Sequence, residues 1–435
     1  MTMDSTQKEQ LGLKELVAMG VGGMVGGGIF SVLGLAVGLA GHAAPLAFAL
    51  GGLIALLTGW SYARLGVTFH SAGGSFTYME HAYCHPTVAA LGGWLLLAGY
   101  ICTLALYAYT FGVYGAAMLE GSGQGGILQH LLASGVLLVF LGINLYSVKA
   151  TGRAEDLIVI VKIVILSLFA VAGLLNVKAD HLLPVFNQGQ LGLLMGAALI
   201  FVAYEGFELI PNAINDMRNP QRDLPRAILI SILLTIVIYI LVSLVAVGNL
   251  LPEQIQKYQE DALAIAAKPF LGQAGFLLIG LGALLSTASA INATLFGTAR
   301  LGKVMAQEHA LPAAFAMRER TRNIPWLSLC VITLITLVIV NLANLTDISS
   351  FASSTFLLVF AAINYAALRR RQRIRINVLV PVGGLVLCLA SWAVLCGYLW
   401  HNNPRSLGWI VLSCLAIAIL EILFSERRLL FRRKT

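Results

Sequence analysis

The stretch VGGMVGGGIF, residues 21–30, places five glycines in ten positions of an apolar run long enough to be a helix. Glycine is the poorest ordinary helix former, so the run predicts a helix that opens in its middle. The rest of the chain says in which solvent this happens. Its 435 residues are 58% hydrophobic and 11% charged, whereas soluble chains carry about 25% charged residues. Mean hydropathy is +0.85. Such a chain cannot cover itself in water, and the composition predicts an all-α polytopic membrane protein. Residues 157–175, LIVIVKIVILSLFAVAGLL, are apolar but for Lys162 and Ser167. Runs of this kind span a bilayer as helices, because lipid offers no partner to an unpaired backbone group.

Twelve such spans are expected, near 13–38, 43–66, 87–117, 126–147, 155–176, 190–214, 225–249, 273–303, 326–343, 348–368, 377–400 and 406–424. Charge separates the connections into two sets. With both termini on one side, that side receives 23 of the 28 Lys and Arg, including Arg369–Arg375 and the tail ERRLLFRRKT. The opposite side receives Lys178, Lys257, Lys268 and Arg405. The positive-inside rule then predicts a multi-pass protein of the cytoplasmic membrane with both termini in the cytoplasm. The net charge of +8 is thereby a topology signal. No soluble stretch is long enough for a basic nucleic-acid domain. A cleavable signal peptide is not expected, since the first apolar run is long and has no basic leader. Five of the six cysteines fall inside spans, which is no disulfide framework. A single membrane domain, 1–435, is expected.

Two spans are interrupted. The first carries Gly22, Gly23, Gly26, Gly27 and Gly28; the sixth reads ALIFVAYEGFELIPNAIND, with Glu205, Gly206 and Glu208 at membrane depth and Pro211 beyond. Paired interruptions are the sequence pointer to a transporter site. Their spacing of five spans predicts an inverted repeat of 13–176 and 190–368, with two helices in 377–424 appended. Glycines four apart also permit close helix packing, but three in succession exceed that need. Free N–H groups at a half-helix start would instead cradle a carboxylate. A phosphate loop is excluded, as no strand precedes and no Gly-Lys-Ser/Thr follows. Glu205 and Glu208 face either a cavity or a structural partner. Lys162 either snorkels to the interface or works inside the membrane. Glu80, His81, Cys84 and His85 in MEHAYCHP have helical spacing but no further ligand, so no metal is expected. No cofactor is implied, and no catalytic set lies at plausible depth, so the chain is not expected to be an enzyme.

Four segments together resemble the amino acid–polyamine–organocation (APC) transporter superfamily. They are GGMVGGGIFSVLG (22–34), HSAGGSFTYMEHA (70–82), FVAYEGFELIPNAINDMRNPQRDLPRAI (201–228) and STASAINATLFGTARLGKVMAQEHALP (286–312). TGRAEDLIVIVKIVIL (151–166) and ALAIAAKPFLG (262–272) are most similar to its proton-coupled amino acid transporters. The resemblance implies a LeuT-type 5+5 fold with substrate held at the two breaks. It implies a carboxylate site on the N–H groups of Gly26, Gly27 and Gly28. It puts an ammonium site on carbonyls freed at Met24, Val202, Ala203 and Glu205. An aromatic gate falls at Val202, with Phe201 or Tyr204 as substitutes. Lys162 is implied to take the place of a sodium ion, bonded to the carbonyl of Gly22 and the hydroxyl of Ser286. Side-chain selectivity would involve residues such as Tyr107, Tyr109, Ser353 and Ser354.

The expected function is therefore secondary active transport of amino acids by alternating access, coupled to protons. The partners are an amino acid, protons and the lipid bilayer. The alternatives are an amino acid or polyamine exchanger not driven by protons, and a transporter-fold sensor. The short tail after Ile422 speaks against the sensor.

Overall fold

The computed structural model describes residues 11–71, 73–83, 86–121, 126–146, 152–250, 258–317 and 324–424. Regular structure among these residues is helical throughout. The longer helices are α1 (Leu13–Met24), α2 (Gly27–Ala40), α3 (Ala44–Phe69), α4 (Gly74–Ala82), α5 (Pro86–Glu120), α6 (Ile127–Tyr146) and α7 (Gly152–Leu174). They continue as α8 (Gly189–Leu199), α9 (Pro220–Asn249), α10 (Ala262–Gln307), α11 (Trp326–Leu342), α12 (Leu345–Arg369), α13 (Leu379–Asn402) and α14 (Pro404–Phe424). These helices fall on the expected spans, the first being shared by α1 and α2.

Both expected interruptions are present. Helix α1 stops at Met24, Val25 takes ψ +52°, and α2 restarts at Gly27. Helix α8 stops at Leu199 and tightens into a 3₁₀ turn, Ile200–Tyr204. Glu205 is then extended, Gly206 has φ +127°, and a second 3₁₀ segment runs over Phe207–Asp216. Pro211 lies inside that segment; it lacks the N–H that an α-helix needs there.

The two breaks cross backbone on backbone. A Cβ at Gly206 would stand 2.6 Å from both Gly23 C and Met24 N, and one at Gly28 would stand 2.7 Å from Ala203 Cα. The glycines of the first span are thus spent on close approach. None of Gly22, Gly23, Gly26, Gly27 or Gly28 has a positive φ; the left-handed torsion sits across the contact, at Gly206.

Around this crossing, α2, α5, α10 and α12 are largely buried, whereas α6, α7, α13 and α14 turn residues such as Leu138, Val164, Val386 and Leu415 outward. That is the division a bilayer requires, since lipid-facing and core-facing positions are both apolar.

Two segments depart from expectation. HSAGGSFTYMEHA, which falls between the second and third expected spans, is mostly helix: His70 closes α3 in a left-handed turn (φ +46°) and α4 follows. Phe76, Tyr78 and Met79 are buried, and docking of that apolar face holds the short helix. A further helical stretch from Ala262, not among the expected spans, precedes the eighth span and meets it at a kink at Gly272 (φ +60°), three residues after Pro269. Of the weak metal cluster, Cys84 and His85 lie outside the described residues. No group of three metal-type ligands occurs among the described ones.

Candidate functional site

Helix α2 starts inside the bundle with Gly26 as its cap, which offers no side chain to the first N–H groups. These groups have no acceptor within the helix, and the end is electropositive. Tyr107 of α5 lies over the glycines: a Cβ at Gly27 would stand 2.5 Å from its Cδ1, and one at Gly26 would stand 3.3 Å from its Cζ. On the far side, Thr287 and Ala290 of α10 close the space. Gly26, Gly27 and Gly28 therefore sit together at one anion-accepting end, with an aromatic ring as the wall. A leucine at Gly27 would collide with that wall and with α10, so it tests folding as much as binding.

The expected ammonium acceptors divide. The carbonyls of Met24 and Ala203 converge on one point, the hydroxyl of Tyr239 in α9, at 2.5 Å and 2.9 Å. The carbonyl of Val202 accepts from the Glu205 N–H at 3.2 Å, inside its own turn. Val202 N–H donates to Ser353 Oγ (3.0 Å), and that hydroxyl donates to the Leu199 carbonyl (2.6 Å). Ser353 thus stabilises the unwound sixth span. Ser354 accepts from Trp392 Nε1 (3.0 Å) and belongs to the packing of α13. Neither proposed substitute gate is poised to move: Phe201 packs on Phe360 (5.6 Å between rings), and Tyr204 donates to the Phe48 carbonyl at 2.6 Å.

The two acids have different hydrogen-bond partners. Glu205 accepts from Thr103, one helical turn from Tyr107 on the same face of α5. Glu208 Oε2 accepts the N–H of Gly206 at 2.8 Å, tying the acid to the strained glycine.

Lys162 is fully buried, and its Nζ donates to the Gly22 carbonyl at 2.7 Å. It does not reach toward an interface. Ser286 is buried too, and its Oγ makes no hydrogen bond. The lysine is therefore bonded to one of its two expected partners, and the second is present without a partner of its own. Helix register puts them at one level. Gly282 packs against Ile165, 3.1 Å from a would-be Cβ. Stepping one turn along each of these antiparallel helices leads to Ser286 and Lys162.

Two tyrosines make contacts at the end of the bundle away from Leu11. Tyr109 donates to Glu260 Oε1 at 2.6 Å and Tyr114 to the Phe30 carbonyl at 3.1 Å. Burial pushes the Glu260 carboxyl above the usual carboxylate range, and the Tyr109 hydroxyl partly offsets this. Tyr109 thus ties α5 to the segment that precedes α10.

Two contributors escaped sequence reasoning, Thr103 and Tyr239. Each is one polar residue in an apolar helix with no periodic signal. Only the crossing of the two breaks shows what they touch.

Comparison with known proteins follows the same line. The family model for amino acid permeases matches residues 11–421. The inner membrane transport protein YbaT of Escherichia coli is 33% identical over 431 residues, covering 98% of this chain and 99% of its own. An uncharacterized protein of Methanocaldococcus jannaschii is 31% identical over 421 residues, covering 97% and 96%. The serine/threonine exchanger SteT of Bacillus subtilis is 28% identical over 386 residues, covering 86% of each.

Proposed function

The chain belongs to the amino acid permease family, within the APC superfamily, and on that premise we propose that it couples amino acid uptake to protons. Transport of amino acids across a membrane is what the family does. The proton is the finer reading, and one observation carries it. The Lys162 ammonium bonds the Gly22 carbonyl, two residues before the break. A cation fixed there ties α7 to α1 much as a bound metal ion would. Losing its proton releases the tie; regaining it restores it.

In this reading the substrate carboxylate sits on the N–H groups of Gly26, Gly27 and Gly28, and its ammonium takes the carbonyls of Met24 and Ala203. Residues 13–176 and 190–368 form the two repeats. Both termini lie in the cytoplasm, supported by the charge asymmetry of the connections. The alternative is exchange, in line with the description of the Bacillus subtilis relative as an exchanger. Proteoliposomes separate the two. Under an inward proton gradient, empty vesicles should accumulate amino acid equally well in sodium or choline. Uptake that needs internal amino acid and ignores the gradient establishes exchange; a sodium requirement rejects the lysine reading.

Glu205 bears on which amino acid. Its buried carboxylate lies beside the cradle, where a cationic side chain would meet it. Glu205→Gln is expected to weaken lysine and arginine by about tenfold or more, the scale of a charged hydrogen bond, and to spare alanine. Competition against labelled alanine measures this; equal losses for neutral and cationic substrates would exclude a side-chain contact.

A further inference from the structure

Helix α10, α5 and the Phe207–Asp216 segment enclose a cavity of about 290 Å³ that no step above uses. Its depth follows from the chain. Glu208, two residues past the break, and Tyr100 mark its inner end. Asp216, Arg300 and Lys303 mark its mouth, at the side where Leu11 N–H bonds the Asp216 carbonyl at 2.8 Å. A carboxylate thus stands at the inner end, and two cations with one carboxylate at the mouth.

The inner end is built for a donor. Glu208 is 1% exposed, and its Oε1 meets no hydrogen-bond donor at good geometry. The Tyr100 hydroxyl faces the same carboxylate. A buried carboxylate oxygen left this way is costly, and a ligand ammonium would satisfy it. At the mouth, the Arg300 guanidinium rests on the Phe296 ring, 4.4 Å from its centroid, with the Asp216 carboxylate nearby. A planar guanidinium held on an aromatic face presents its edge for carboxylate recognition.

We propose that this cavity is a second subsite for the transported amino acid. Its ammonium turns inward to Glu208 and its carboxylate outward to Arg300. This rests on the chain being an amino acid transporter. The zwitterion leaves the glycine cradle and is held once more before release, or is captured here on entry from this side. The subsite serves one face of the membrane only, because its mouth lies at the Asp216 end of the bundle.

The test is a comparison of faces. In right-side-out and inside-out vesicles, labelled alanine exchange is measured while unlabelled alanine is varied on each face in turn. Arg300→Gln and Glu208→Gln should each raise the half-saturation concentration roughly tenfold on the cavity side and leave the other side unchanged. Arg300→Lys, which keeps the charge but not the planar stacked edge, should recover only part of the loss. Melting temperatures in detergent check folding, and Arg300→Gln carries the test if the Glu208 variant does not fold. Equal shifts on both faces, or none, overturn the subsite. A wild type that exchanges no amino acid would instead reject the transporter reading itself.

Discussion

Lys162→Ala abolishes amino acid accumulation driven by a pH gradient, down to the level of protein-free vesicles, while substrate binding persists in part. That is the expected result, and it follows from position. A lysine at the centre of a membrane helix costs about 2.5–3.5 kcal/mol on insertion scales. Lys162 nonetheless sits fully buried, with its Nζ on a carbonyl of another helix. Gly22 belongs to α1, which ends at the break, so this bond fixes α7 to the half-helix that moves in the proposed cycle. Without an ammonium the tie cannot be made or released by a proton. Truncation also leaves a cavity, which alone could destabilise by roughly 2–5 kcal/mol. Lys162→Met separates the two effects, as it keeps the stem and removes the charge. It should melt near the wild type, bind substrate, and fail to accumulate it. Retained proton-driven accumulation in the methionine variant would refute the role.

Gly206→Ala is expected to unfold the sixth span or leave a protein of much lower melting temperature. Gly206 has φ +127°, a region open essentially to glycine, at about 1–3 kcal/mol for another residue. The steric term is larger. The new Cβ would fall 2.6 Å from Gly23 C and Met24 N, and these are backbone atoms of the other break, not the end of a flexible side chain. The two half-helices would have to separate, and with them the carbonyls of Met24 and Ala203. Gly142→Ala is the control. Nothing lies within 4 Å of its would-be Cβ, so its effect should stay within about 0.5 kcal/mol. Thermal unfolding of both variants in detergent measures the contrast; equal melting temperatures would mean that the crossing tolerates a side chain.

Much of the fold could be read in advance, because membrane spans are set by long apolar runs and breaks by glycine. Lys162 was legible as a charge set inside an apolar run. The glycines were legible as a break but not as a contact: VGGMVGGGIF predicts opening, and only the crossing with Gly206 explains why so many are needed. The left-handed torsion at the crossing is at Gly206 and at none of the first span's glycines, since torsion depends on how two distant segments meet. The α4 segment was hidden because its helix is short and flanked by turn residues. Thr103 and Tyr239 were hidden because a single hydroxyl in an apolar helix has the same pattern whether it bonds its own turn or another helix.

The Tyr239 hydroxyl has one proton and two carbonyls to serve, Met24 of one half-span and Ala203 of the other. In the proposed function a substrate ammonium would bring three protons to the same place. With nothing bound, the phenol keeps the two halves joined by a shared proton, as a resident stand-in for the absent amine. A carrier equipped with such a stand-in can make its return journey empty. Net filling of a cell requires that empty leg, whereas strict one-for-one trading does not.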